Sequence, residues 1–299
     1  MWRSLVVGWI ALVICGLPLA ADDEGGLTWE AGLLGGYHDN FFFRGDAGPQ
    51  PSSDLLSVYL AGEVERDTGP GELSFSFGGQ AVSVLDIERA DYQMVDAEVE
   101  YKRGRMKLHA GYGLMLNRLF SEEGEAAFFD AQSLDVWYRY SLGPRVWVRA
   151  GAEIESWNFD PAENDRDADV LELDLTVRFA LSHRVGLRAS LLSEERDATG
   201  ARNNRTGEGW ALAVEASPSE DVNLFLRFRS RDRQYEDAPP GDRNFRRDDT
   251  TDDINFNLRW RLSERWGVQV RDTYRSGDST RPDRNFTGNQ AEIGAFYLF

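Results

Sequence analysis

The chain has 299 residues, of which 51 are Asp or Glu and 33 are Lys or Arg, a formal charge of −18. That acidity argues against a nucleic-acid partner, whose phosphates it would repel. Mean hydropathy is negative, and beyond the N-terminus no run supplies the ~18 consecutive apolar residues of a membrane helix, so a helical membrane protein is excluded.

The first residues read as a signal peptide over 1–21. Arg3 gives a short positive region and Leu5 to Leu17 an apolar stretch. Pro18-Leu19-Ala20-Ala21 is a small-residue exit, followed at once by Asp22-Asp23-Glu24. Cleavage is expected after Ala20 or Ala21, leaving one domain over 22–299. Cys15, the only cysteine, lies inside the apolar run with Ile14 before it. A lipid-attachment site wants a small residue there, so no lipid anchor is expected. The mature chain would then hold no disulfide and no thiol chemistry.

From residue 28 onward the dominant signal is alternation. In 171–181 the odd positions Leu171, Leu173, Leu175, Val177, Phe179 and Leu181 are apolar, while Glu172, Asp174, Thr176 and Arg178 stand between them. Side chains on a strand point to opposite faces in turn, so such a segment has one greasy and one charged face. The pattern recurs over 28–43, 53–66, 71–85, 92–103, 104–117, 128–142, 144–158, 168–182, 183–195, 206–217, 220–234, 249–262, 264–276 and 286–299. These fourteen segments are long enough for tilted membrane strands. Tight turns such as Asp67-Thr68-Gly69-Pro70, Gly143-Pro144 and Ser182-His183 alternate with longer polar connections such as 44–52, 117–127 and 236–247. Short turns on one rim and long loops on the other describe a transmembrane antiparallel up-and-down β-barrel, and an even strand count puts both termini on the short-turn, periplasmic side. A soluble β-sandwich also alternates, but its strands average only ~5–6 residues. No fixed-period repeat supports a solenoid.

Lipid cannot satisfy backbone groups, so the sheet must close with its apolar face outward and its charged face lining the lumen. Aromatics near segment ends fit interfacial girdles: Trp29, Phe41, Phe42, Phe43, Tyr138, Tyr140, Trp157, Trp210, Trp260, Trp266, Tyr274 and Tyr297. The chain ends on Ile293, Ala295, Tyr297 and Phe299 in alternation. This end resembles the recognition signal of bacterial outer-membrane β-barrels, and the resemblance implies the barrel-assembly machinery as a partner, with outer-membrane lipid and lipopolysaccharide around the wall. The architecture that the resemblance implies is that of the porin-like class. The last ~55 residues also faintly resemble the ends of polysaccharide-export and surface-lipoprotein-assembly barrels, without a specific motif.

The lumen is the candidate site. Glu63, Glu65, Glu72, Asp96, Glu98 and Glu100 project inward from segments two to four. Arg227, Arg229, Arg259, Arg261, Arg271 and Arg275, with Asn255, Asn257 and Gln269, project inward from segments eleven to thirteen. In a ring of fourteen, segment four faces segment eleven, so an acidic wall is expected opposite a basic one, with a transverse field between. The alternative is that these charges pair with neighbours on adjacent strands. Only Lys102 and Lys107 are lysines, and the planar fork of Arg suits carboxylate, phosphate or sulfate. Small hydrophilic solutes, anionic or sugar-like, are therefore the expected traffic. Inward Trp137, Trp147 and Phe225, or the loop over 236–247, would narrow the pore. The acidic runs Asp160 to Asp169 and Asp248 to Asp253 read as solvated charge. Of the histidines, His183 sits in a turn, His109 projects inward as a packing residue, and His38 beside Asp39 is isolated. No catalytic constellation, metal-ligand spacing or cofactor motif appears, and no enzyme activity is expected. A channel, an export or assembly barrel working with a periplasmic partner, and an adhesive barrel acting through its loops are the competing functions.

Overall fold

The computed structural model describes residues 27–40, 52–87, 90–120, 127–235 and 237–299. The expected signal peptide with Cys15, the aromatic run Phe41 to Phe43, and the connections over 41–51 and 121–126 lie outside these described residues.

Among the described residues the chain forms strands β1 (Leu27–His38), β2 (Ser53–Asp67), β3 (Glu72–Val84), β4 (Tyr92–Arg103), β5 (Met106–Phe120), β6 (Ala127–Ser141) and β7 (Val146–Phe159). These are followed by β8 (Ala168–Ala180), β9 (Val185–Ala198), β10 (Arg205–Ser219), β11 (Val222–Gln234), β12 (Asp248–Arg261), β13 (Trp266–Ser279) and β14 (Phe286–Leu298). Each strand pairs antiparallel with the next, and β1 pairs with β14, Ala31 opposite Tyr297, so the sheet closes into a barrel. Closure leaves no edge strand and gives each ladder a neighbour on both sides.

Each alternating segment of the sequence lies on one of these strands. β9 and β13 run three residues beyond their expected ends at 195 and 276. There the outward side chains turn acidic (Asp197, Asp278), so the hydrophobic pattern stops while the hydrogen-bonded ladder continues. Asp248 to Asp253, read as solvated charge, is the first stretch of β12, with Asp249 and Asp253 buried on its inward face.

One rim is made of tight turns. Gly69 and Gly104 take positive φ (80° and 57°), and the Gly69 amide donates to Asp67 Oδ1 at 2.7 Å. A side chain at either glycine would be strained in that conformation. The opposite rim carries longer connections with short 3-10 turns at Pro161–Arg166, Ala201–Asn203 and Pro282–Arg284.

The two faces sort by parity. On β8 and just past its end, Leu171 to Leu181 at odd positions are exposed, while Thr176 between them is buried. Similar apolar exposure on the other strands, with Leu33 at 54%, Leu191 at 64% and Ile293 at 64%, makes a continuous greasy belt around the outside. Ten residue rises of ~3.4 Å at a tilt near 40° give a belt roughly 25 Å tall, the thickness of a bilayer's apolar layer. A water-exposed monomer does not carry an apolar surface of this extent.

Tyr138, Tyr140, Trp210, Trp260, Trp266 and Tyr274 stand exposed on that outer face. Tyr297 packs edge-on to Trp266 and to Phe299, both at 4.8 Å. The Phe299 amide donates to the Trp29 carbonyl at 2.9 Å, tying the last residue to the first strand. Trp157 departs from the girdle expected of it. The outward parity of β7 is even, as exposed Ile154 shows, so Trp157 points inward and is only 6% exposed. It packs with Phe129, Phe159 and Val170 in an apolar cluster inside the loop-side half of the barrel. A second inward cluster there joins Leu55, Val82, Val84 and Ala90.

Leu175→Arg puts a charge in the middle of the lipid belt. It should lower folding stability by about 2–4 kcal/mol, read as a lower denaturant midpoint in reversible folding into lipid vesicles. Ser76→Arg, on the inward face beside Glu98, should leave that midpoint within error.

Candidate functional site

Inward side chains line a lumen whose two halves differ. Along β2 the inward row runs from Ser53, Leu55, Ser57 and Tyr59, all buried, to Glu63 and Glu65, both exposed. The loop-side half is packed and the turn-side half is open.

The open half contains a cavity of about 670 Å³ lined by Glu30, Glu63, Asp96, Glu98 and Asp135, with Arg259 and Arg271 at its margin. Arg259 Nη2 donates to Glu30 Oε2 at 2.5 Å, and the Tyr59 hydroxyl donates to Glu30 Oε1 at 2.7 Å. The Arg271 guanidinium lies 5.6 Å from the Tyr59 ring centre. Glu100 pairs with Lys107, and Glu72 with Lys102 at 3.0 Å. A neighbouring cavity of about 410 Å³ is bounded by Glu98, Glu100, His109, Asp135, Trp137 and Arg149. His109 stacks on Trp137 at 4.8 Å and its Nε2 meets Asp135 Oδ2 at 2.8 Å, so the ring is held between two neighbours.

The six arginines singled out in the sequence fall into separate places. Arg261 sits exposed on the turn rim, paired with Asp221 at 2.8 Å. Arg259 and Arg271 face the large acidic cavity. Arg227 and Arg229 line a third cavity of about 160 Å³. Arg275 joins Arg229 on one carboxylate, Asp253. Local pairing is present, as in Glu72–Lys102, Glu100–Lys107 and Arg229–Asp253, and Arg259 reaches across to Glu30 on β1.

Arg139, Arg149, Arg178, Arg188, Arg231 and Arg233 also face inward, and sequence reasoning did not single them out. Their signal was the same alternation, since each occupies the charged parity of its strand. With them included, β6–β13 carries an arginine network in which carboxylates are shared. Glu215 holds Arg178 (Nε to Oε2, 2.8 Å) and Arg188. Asp253 holds Arg229 and Arg275. Glu194 holds Arg205 at 2.8 Å, and Arg231 and Arg233 at 3.2 Å each. Arg231 also meets Glu172 at 2.7 Å. Seven guanidiniums therefore share four carboxylates, and the wall keeps a positive excess. Arg139, Arg227 and Arg271 form no ion pair among the described residues. Aromatic faces hold others in place: Arg139 and Arg188 lie 5.4 and 5.7 Å from Trp147, and Arg196 and Arg205 lie 5.0 and 5.9 Å from Trp157.

Toward the loop rim the network becomes buried. Arg196, Arg205 and Arg233 are each 2% exposed and Arg247 is 1% exposed. Arg196 Nη2 donates to the Arg166 carbonyl at 2.9 Å, and Arg247 Nε donates to Asp249 Oδ1 at 2.9 Å. The loops above are stitched together: Asn203 donates to the Asp165 carbonyl at 2.9 Å, Asn244 to the Arg202 carbonyl at 3.0 Å, and Arg281 to the Arg243 carbonyl at 2.6 Å. The hydrogen bond from Arg202 to Asp165 raises the Arg202 pKa further above its ordinary value. Among the described residues no group of His, Cys, Asp and Glu is arranged to hold a metal ion.

No family model matches the chain, and no curated protein matches it at the sequence level. Solved structures do resemble it. An anion-selective porin from Comamonas acidovorans aligns with a TM-score of 0.52 at 10% identity, over 92% of this chain and all of the other. OmpT, an outer membrane protein of Vibrio cholerae, gives a TM-score of 0.52 at 10% identity over 93% of this chain and 98% of its own. The outer membrane channel DcaP of Acinetobacter baumannii gives 0.50 at 10% identity over 95% of this chain and all of its own. The fold is that of the outer-membrane β-barrels. At such low identity the likeness speaks for architecture, and the lumen has to be read from its own residues.

Glu194 is the buried hub of the loop-side network. Glu194→Gln removes the carboxylate charge that buried Arg205 and Arg233 share with Arg231 and should cost about 3–5 kcal/mol, measured as a lower denaturant midpoint. Glu65→Gln, at the exposed end of the acidic side, should cost almost nothing.

Proposed function

We propose that this chain is a porin-like channel of a Gram-negative outer membrane that passes small hydrophilic solutes and favours anionic ones. The observation that carries the reading is the arginine excess on β6–β13, where guanidiniums outnumber the carboxylates that hold them and Arg139, Arg227 and Arg271 carry no ion pair among the described residues. Guanidinium forks offer paired donors to carboxylate, phosphate or sulfate groups, while the acidic side, with Glu63, Asp96 and Glu98, keeps the passage hydrated and polar. In this reading residues 1–21 direct export, the turn rim faces the periplasm, and lipid and lipopolysaccharide surround the apolar belt. The strand carrying Ile293, Ala295, Tyr297 and Phe299 is what the assembly machinery reads. The lumen acts by selecting what passes, without a catalytic step or a bound cofactor.

A second reading is an export barrel loaded from the periplasmic side by a partner. The lumen's wide turn-side mouth and packed loop side favour it. Planar-bilayer recording separates the two. The channel reading expects steady conductance from folded protein alone, with chloride permeating better than potassium across a salt gradient. Changing Arg139, Arg227 and Arg271 together to Gln should lower that preference several-fold. Silence from correctly folded protein, broken only when a periplasmic fraction is added, would reverse the order of the two readings.

A further inference from the structure

β10 differs from its neighbours in what it turns inward. Gly207, Gly209, Ala211 and Ala213 follow one another on its lumen face, so that strand leaves a trough in the wall. The register fixes what flanks it. Ala213 pairs with Arg188 on β9 and with Arg227 on β11, and Ala211 pairs with Ser190 and Arg229. With strands ~4.8 Å apart, the two flanking arginines spring from the wall roughly 10 Å from each other, a span their side chains can close over the trough. The cavity of about 160 Å³ lies here, bounded by Arg149, Arg188, Arg227 and Arg229, by Thr176 and Ser190, and by two carboxylates already engaged, Asp174 with Arg149 and Glu172 with Arg231 at 2.7 Å.

The charges around this cavity are unequal. Arg149 is met by Asp174 at 3.0 Å, and Arg188 shares Glu215 with Arg178. Arg227 has no ion pair, and the Nε donors of Arg149, Arg188 and Arg227 are buried without a hydrogen-bond partner. A buried donor without a partner is costly, so these nitrogens favour a group with acceptor oxygens in the cavity. The group that fills it must bring several oxygens and negative charge, and must be small.

We propose that the trough over Ala213, clamped by Arg188 and Arg227, is a saturable binding site for a small oxyanion: a phosphate, sulfate or carboxylate group, free or carried on a larger solute. It rests on the channel reading and adds to it a defined stopping place. The oxyanion sits on the small side chains of β10, takes paired N–H donors from Arg227 and Arg188, and is reached by the Ser190 hydroxyl. Phe225, one inward step from Arg227, supplies an apolar margin.

The test is titration of the refolded barrel in detergent with inorganic phosphate, at constant chloride, by calorimetry. The expected result is saturable binding that weakens about tenfold or more in Arg227→Gln, the equivalent of losing one charge-assisted hydrogen bond. Ala213→Leu keeps every charge but fills the trough, and should abolish binding while the barrel still shows a folded β-sheet spectrum. Arg66→Gln, outside the lumen cavities, should leave the affinity unchanged, and sulfate should compete with phosphate. Phosphate binding that survives both Arg227→Gln and Ala213→Leu would overturn the assignment. So would the absence of saturable binding in a barrel that conducts. Saturable, Arg227-dependent binding in a barrel that does not conduct would uphold the site and defeat the channel reading, so the two can fail separately.

Discussion

The constraint on which this structure depends is that a bilayer offers no hydrogen-bond partner to the backbone. Each lipid-level amide and carbonyl has to find its partner inside the sheet, and the sheet must therefore have no edge. The β1–β14 ladder meets that requirement, and the terminal Phe299 amide extends it to the last residue. Once the sheet closes, period-two alternation sends every second side chain to lipid and the rest to the lumen. The apolar belt and the charged interior are two consequences of one geometric fact.

The interior then has to solve its own electrostatic problem. Charges in a narrow lumen are poorly hydrated and need counter-charges or fixed dipoles. This chain solves it differently at its two ends. Toward the loop rim, arginines are buried, share Glu194 and stack on Trp157. Toward the turn rim, carboxylates and arginines remain half-exposed and water can screen them. Between lies a zone where guanidiniums exceed carboxylates and small residues on β10 make room. The proposed selection among solutes is assigned to that zone, where the Nε donors of Arg149, Arg188 and Arg227 have no hydrogen-bond partner.

Much of the fold was legible in the sequence because period-two alternation is a local property. Leu171 to Leu181 declares a two-faced strand without knowledge of its neighbours, and fourteen such segments with alternating connections leave few architectures. Pairing across the sheet was less legible. The sequence placed Arg227 and Arg229 on the inner face, yet only the register shows that Ala213 separates Arg227 from Arg188. Similarly, Asp253 looked like part of a solvated acidic run, and the closed ladder turns it into the shared counter-ion of Arg229 and Arg275. Trp157 was misplaced because proximity to a strand end was given more weight than its parity. Inward charge was readable one strand at a time, whereas which charges meet depends on stagger around the ring.

The account stands or falls on the two-faced wall. Single cysteines carrying a nitroxide label, introduced one at a time over 168–181 in a cysteine-free background, would be scanned in lipid vesicles for collision with oxygen and with a water-soluble nickel complex. Oxygen, which concentrates in lipid, should dominate at 171, 173, 175, 177 and 179. The nickel complex should dominate at 172, 174 and 178, giving two curves of period two in opposite phase. Two curves in phase, or a period near 3.6, would contradict a lipid-facing barrel with a water-filled lumen.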